Sequence, residues 1–101
     1  MSVVLTPAAA LDLDEAFAYI SSDRLDAAEN LLGRLRDAFQ RIGLFPLLGA
    51  PLGIAEDDSI EPGVRFVAVE PYLVFYRPVE GGAVVLRILH ARRDSLGALF
   101  E

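Results

Sequence analysis

The apolar and polar positions divide the chain into a short strand, two helices, a long connection and three strands. Ser2–Leu5 is a brief apolar run closed by Thr6 and Pro7, which reads as a first strand. Thr6 is a good helix N-cap, and Pro7 suits the first helical position. Beyond it Ala9, Leu13, Ala16, Phe17 and Ile20 recur at helical spacing, predicting a helix over about residues 7–21. Asp12, Asp14 and Glu15 fall in its N-terminal half, where the helix dipole favours negative charge. A second helix follows Asp23 or Asp26 as cap. Its stripe is Ala28, Leu31, Leu32, Leu35, Ala38, Phe39 and Ile42, with Asp37 and Arg41 as an i,i+4 pair. Gly33 inside it points to close packing, and Gly43 is expected to end it.

Residues 43–63 hold three Pro and four Gly and predict one long irregular connection. Its apolar half is expected over the core edge. Its acidic half, Glu56, Asp57, Asp58 and Glu61, reads as a solvated loop rather than a metal site, because it lacks Ca²⁺-loop spacing. Strands are predicted at Val64–Val69, Tyr72–Arg77 and Ala83–His90, joined by Glu70-Pro71 and by the hairpin turn Glu80-Gly81-Gly82. Residues 95–101 suit one helical turn or an extended arm. The expected fold is α+β: an αα-hairpin packed on one face of a small antiparallel sheet, in the order β-α-α-β-β-β. The first strand is expected to join the meander and bring the sheet to four strands. With 101 residues, one domain over 1–101 is expected.

Composition narrows the chemistry. The chain has no Cys, which excludes disulfides, thiolate metal sites and a Cys nucleophile. No apolar run approaches the roughly 20 residues that span a bilayer, and no signal peptide is visible, so a cytoplasmic location without membrane contact is expected. No cofactor is implied, since no phosphate-binding glycine loop or metal motif occurs. The net charge of −6 makes general nucleic-acid binding unfavourable, so direct binding of DNA or RNA is not expected. All nine basic residues are Arg, and five lie between Val64 and Asp94, against three acids there. A local cation-rich face is therefore compatible with the acidic whole.

Five residues of that stretch are candidates for contacting a partner: Arg65, Arg77, His90, Arg92 and Arg93. Alternation puts Arg65 with Val67 and Val69, Arg77 with Leu73 and Phe75, and Arg87 with Val85 and Leu89. Arg65 and Arg77 are expected near one another, sharing an acid such as Glu61, Glu101 or a carboxylate of a protein partner. A cation row that protects a sheet edge is an equal alternative. One of Arg92 and Arg93 is expected to be held inside the molecule, through Asp94 or a helix acid, and the other to be exposed. Tyr72, Phe75 and Tyr76 read as sheet core rather than as a base-stacking platform.

The order of elements, with Thr6-Pro7-Ala8, Asp12-Leu13, Phe45-Pro46, Gly49, Pro62-Gly63-Val64-Arg65, Tyr72–Arg77 and Ile88–Asp94, resembles the RelE/ParE toxin superfamily, above all its ParE branch. The resemblance covers nearly the whole chain. It implies the toxin of a type II toxin–antitoxin system, neutralised by a cognate antitoxin that wraps it. A ParE-like member would act on a protein target, DNA gyrase, whereas a RelE-like member would cut mRNA on the ribosome. Under the nuclease alternative His90 would carry a proton while Arg65, Arg87 or Arg93 hold phosphate. Against it, Lys is absent and Arg is no ordinary proton donor. A lone His is also more often structural, its ring packed at the sheet end against a carbonyl or Asp94. A non-toxic binding protein on the same fold is the third reading. Homodimer and hetero-oligomer with the antitoxin stay open.

Overall fold

In the computed structural model, described over residues 2–52 and 63–94, seven elements follow one another. They are β1 (Ser2–Leu5), α1 (Pro7–Ser21), α2 (Leu25–Leu44), β2 (Ala50–Pro51), β3 (Arg65–Val69), β4 (Tyr72–Val79) and β5 (Gly82–His90). The acidic positions Glu56, Asp57, Asp58 and Glu61 and the tail 95–101 lie outside the described residues. Among the described residues no helix is long and apolar enough to cross a membrane.

The helical hairpin and the β3–β4–β5 meander are those expected from the sequence. The sheet order is β1-β5-β4-β3-β2. It has five strands instead of four and is mixed, because β1 lies parallel to β5 with Val3 opposite Ala83. Apolar periodicity identifies a strand but carries no direction, which is why the parallel pairing was not visible. Gly82 makes that pairing possible, since a Cβ there would drive into the carbonyl of Ser2. The fifth strand, β2, is two residues cut from the predicted irregular connection and pairs with Phe66 and Arg65.

Both helices cover one face. Ala9, Ala16, Leu31, Leu35 and Ile42 pack there on Tyr72, Val74, Tyr76, Val85 and Ile88. The other face has its own cluster of Val64, Phe75 and Leu89, joined by Leu52, Phe66, Leu73 and Leu86. Tyr72, Phe75 and Tyr76 are core, as their types suggest. Fully burying a side chain such as Leu35, Ile42 or Phe75 contributes about 1.5–3 kcal/mol.

Several local expectations change. Thr6 caps α1 as predicted, its Oγ1 accepting the Ala9 N–H at 3.1 Å. The acids of α1 lie beyond its first turn, so the dipole does not explain them. Neither Asp23 nor Asp26 caps α2. The cap position is Arg24, and Asp26, inside the first turn, ion-pairs with Arg24 at 2.8 Å. That hydrogen bond to Arg24 lowers the carboxyl pKa of Asp26. Helix α2 passes through Gly43 and ends at Leu44. A Cβ on Gly43 would sit 3.1 Å from Val3 Cγ2, so this glycine lets α2 run close to β1. Gly33 has no such role, with nothing within 4 Å of an added Cβ. A bulge interrupts β5 opposite the Phe75–Tyr76 step, and strict alternation fails across it. Val85 therefore packs with the helices while Leu89 packs on the opposite face.

Candidate functional site

Strand β1 stops at Leu5, so among the described residues the second half of β5 has no strand neighbour on its outer edge. Side chains supply what a strand would. Thr6 donates its backbone N–H to Val85 and its hydroxyl to the Leu86 carbonyl. One Asp12 carboxylate oxygen accepts the Ile88 N–H at 2.9 Å, and Asp94 accepts the His90 N–H at 2.8 Å. Asp12 also receives Arg87 in a two-pronged pair, at 2.7 and 3.0 Å. Both partners are mostly buried, with 10% and 19% of their side-chain surfaces exposed. Ala9 and Ala16, one helical turn to either side of Asp12, are small and buried. They let α1 approach closely enough for this short carboxylate to reach the β5 backbone.

The end of β5 is a tight turn organised by His90. Its Nδ1 accepts the backbone N–H groups of Arg92 at 3.1 Å and Arg93 at 3.0 Å. The ring stands edge-on to Tyr72, with centroids 5.3 Å apart. An Nδ1 that accepts places the proton of the neutral ring on Nε2. The Arg93 guanidinium lies over the Tyr19 ring, 4.6 Å from its centroid, and donates to the Tyr72 hydroxyl at 3.4 Å. This hydrogen bond raises the Arg93 pKa, and partial burial opposes it. Asp94 is only a distant partner of Arg93, at 3.9 Å. Arg92 is exposed, and its guanidinium has no partner among the described residues.

The five candidates therefore do not form one cluster. His90, Arg92 and Arg93 share the turn after β5. Arg65 sits at the opposite end of the β3–β4 hairpin and donates to the carbonyls of Gly49 at 2.7 Å and Leu47 at 3.3 Å. It is not beside Arg77 in the expected sense. Arg65 is opposite Tyr76, and Arg77, one residue further along β4, is opposite Val84. Alternation then turns the two arginines to opposite faces. Glu61 and Glu101, the acids expected between them, lie outside the described residues. Of Arg92 and Arg93, the held one is Arg93, and two tyrosines rather than an acid hold it.

Sequence reasoning missed Asp12, Tyr19 and the second function of Tyr72. For Asp12 a signal was present: an acid flanked at three and four residues by Ala9 and Ala16 on the inward face calls for a buried cation or amide partner. Chemically, the turn brings two cations together and holds one of them, Arg93, in place. The Nδ1 lone pair of His90 is committed to two amides, and both neighbouring side chains are arginines that keep their protons. This arrangement suits holding an anionic group and does not suit relaying a proton.

Residues 3–95 match a protein family described as the ParE toxin of the type II toxin–antitoxin system, parDE. Toxin ParE3 of Caulobacter vibrioides is 32% identical over 98 residues, covering 96% of this chain and 93% of that protein. Among solved structures, the chromosomal ParDE toxin–antitoxin system from P. aeruginosa superposes with a TM-score of 0.68. It is 24% identical and covers 91% of this chain and 97% of that one, a likeness of fold.

Proposed function

From the premise that the chain belongs to the ParE family of type II toxin–antitoxin toxins, we propose that it binds DNA gyrase and that a cognate antitoxin neutralises it. The observation that carries this reading over a nuclease is the state of His90. Its Nδ1 accepts two backbone amides, so it works as a cap for the β5 turn. The cations around it, Arg92 and Arg93, are then contacts for a protein surface. Arg65 and Arg77 are contacts of a second kind, at the far end of the sheet, with Arg65 also shaping the backbone beside it. The toxin is expected to work in the cytoplasm, where its target resides, and to be stored in a hetero-oligomer with the antitoxin.

The test is a supercoiling assay with purified gyrase. The chain in micromolar excess is expected to block supercoiling or trap cleaved DNA. Arg92→Glu is expected to weaken the effect, and the antitoxin to abolish it. His90→Ala, checked for folding, is expected to retain part of the effect, as a cap would and a general base would not. Unchanged supercoiling and cleavage by the wild-type chain would overturn the gyrase reading.

A further inference from the structure

The outer edge of β3 is covered by β2 only at Arg65 and Phe66. The Leu52 N–H donates to the Val64 carbonyl across the β2–β3 pair. Backbone groups on a strand alternate in direction, so Val64, Phe66 and Ala68 all point their N–H and C=O to this edge. Phe66 faces Ala50, but β2 goes no further back along the chain. The Tyr76 hydroxyl donates to the Pro46 carbonyl at 2.7 Å and accepts the Gly49 N–H at 2.8 Å, and the Leu48 N–H turns to Phe45. Residue 48, which would otherwise pair with Ala68, is thereby drawn away. Ala68 is exposed, and its edge amide and carbonyl have no partner among the described residues.

A groove of about 490 Å³ opens at this gap, between the β3 edge, Leu48 and the flank of α2. Arg34, Asp37 and Arg41 line its helical wall. The i,i+4 spacing predicts an ion pair between Asp37 and Arg41, but none forms, and the Arg41 guanidinium has no partner among the described residues. Arg34 spends one N–H on the Glu70 carbonyl, at 2.8 Å, and keeps the others. The two arginines are seven residues apart, about 10 Å along the helix. Two same-face positions of an extended chain four residues apart span about 13 Å, within reach of two arginine side chains. Asp37, between them, disfavours an acid at the middle position.

We propose that this groove takes an extended segment of a protein partner, paired to Ala68 as a short added strand. The segment carries carboxylates at i and i+4, towards Arg34 and Arg41, and a non-acidic residue at i+2. Unmet strand hydrogen bonds select an extended backbone, and the charge pattern selects its side chains. The inference rests on the reading that an antitoxin holds this chain, and takes an antitoxin segment as the occupant.

The probe is the blocked peptide acetyl-Val-Glu-Val-Thr-Val-Glu-Val-amide, titrated into the full chain and followed by amide NMR. The Ala68 amide and the Arg34 and Arg41 side-chain signals are expected to shift. A peptide with both Glu replaced by Lys is expected to leave them unmoved. Arg41→Glu, on the exposed helix flank, is expected to weaken binding about ten-fold. Ala68→Pro removes only an outward N–H and is expected to abolish the response while the far-UV spectrum is retained. No shift at millimolar peptide, or an equal response to the lysine peptide, overturns the proposal. A second arm measures the antitoxin itself. If it binds wild type and Arg41→Glu equally, the groove is not its site; if it binds neither, the partner reading fails separately.

Discussion

Tyr76 is fully buried, yet its hydroxyl makes two hydrogen bonds that fold residues 46–49 against the sheet. Both partners are backbone groups that water does not easily replace. Tyr76→Phe keeps the ring and strands both of them. It is expected to cost about 1–3 kcal/mol, read as a lower urea midpoint with an unchanged slope. Faster amide exchange at Gly49 should accompany it. Arg65 supports the same segment through the Gly49 carbonyl, so Gly49 is held from both of its polar groups. Its own lack of a side chain matters as well: a Cβ there would lie 2.6 Å from the Phe66 carbonyl oxygen and 2.8 Å from the Tyr76 ring. The sequence marked Tyr76 as core from its type and Gly49 as a loop residue. That one clamps the other depends on bringing together positions 27 apart, which no local pattern encodes.

Among the elements, α1 is fastened to β5 through Asp12 and the buried alanines beside it. Asp12→Ala removes the paired carboxylate from the Arg87 guanidinium and leaves the Ile88 N–H without its acceptor. Both members of the pair keep a little exposure, so the expected loss is about 2–3 kcal/mol, below that for a fully buried pair. Equilibrium denaturation checks the size, and exchange at the Ile88 amide checks the cause. Helix α2 offers the opposite case. A Cβ added at Gly33 would meet nothing within 4 Å, so the only effect of this residue is the entropy cost of glycine in a helix. Gly33→Ala is expected to stabilise the protein by about 1 kcal/mol, seen as a higher thermal midpoint. A lower midpoint would mean that a neighbour packs closely on this glycine after all. The helices themselves, the hairpin turn and the meander were legible in the sequence because each rests on periodicity and turn residues. The cap of α2 was not, since Asp26 had a competing partner in Arg24 two residues away.

Across the whole molecule, the two edges of the sheet are treated differently. Beyond Leu5 the edge of β5 is closed by Thr6, Asp12 and Asp94, whereas among the described residues β3 keeps an open position at Ala68 beside two arginines. A partner that binds only the folded chain must stabilise it by mass action. Antitoxin at a hundred-fold excess over its Kd is therefore expected to add about 2.7 kcal/mol to the unfolding free energy, measured as a concentration-dependent rise in Tm. A Tm that does not depend on antitoxin concentration would count against a direct complex.

The sequence by itself determined the α+β class, the helical hairpin, the meander and the family. These follow from apolar spacing, from Thr6-Pro7 and Glu80-Gly81-Gly82, and from the order in which the motifs come. It also located the cation-rich end of β5. Only the tertiary structure decided where those cations lie and what holds them. It separated Arg65 from Arg77 by pairing β3 to β4 in a particular register, turned His90 into an amide acceptor, and laid Arg93 on Tyr19 from a helix 74 residues earlier in the chain. It set β1 parallel to β5 as well. The reason is common to all of these: periodicity reports which face a residue takes within its own element, while register, strand direction and side-chain partners are relations between elements.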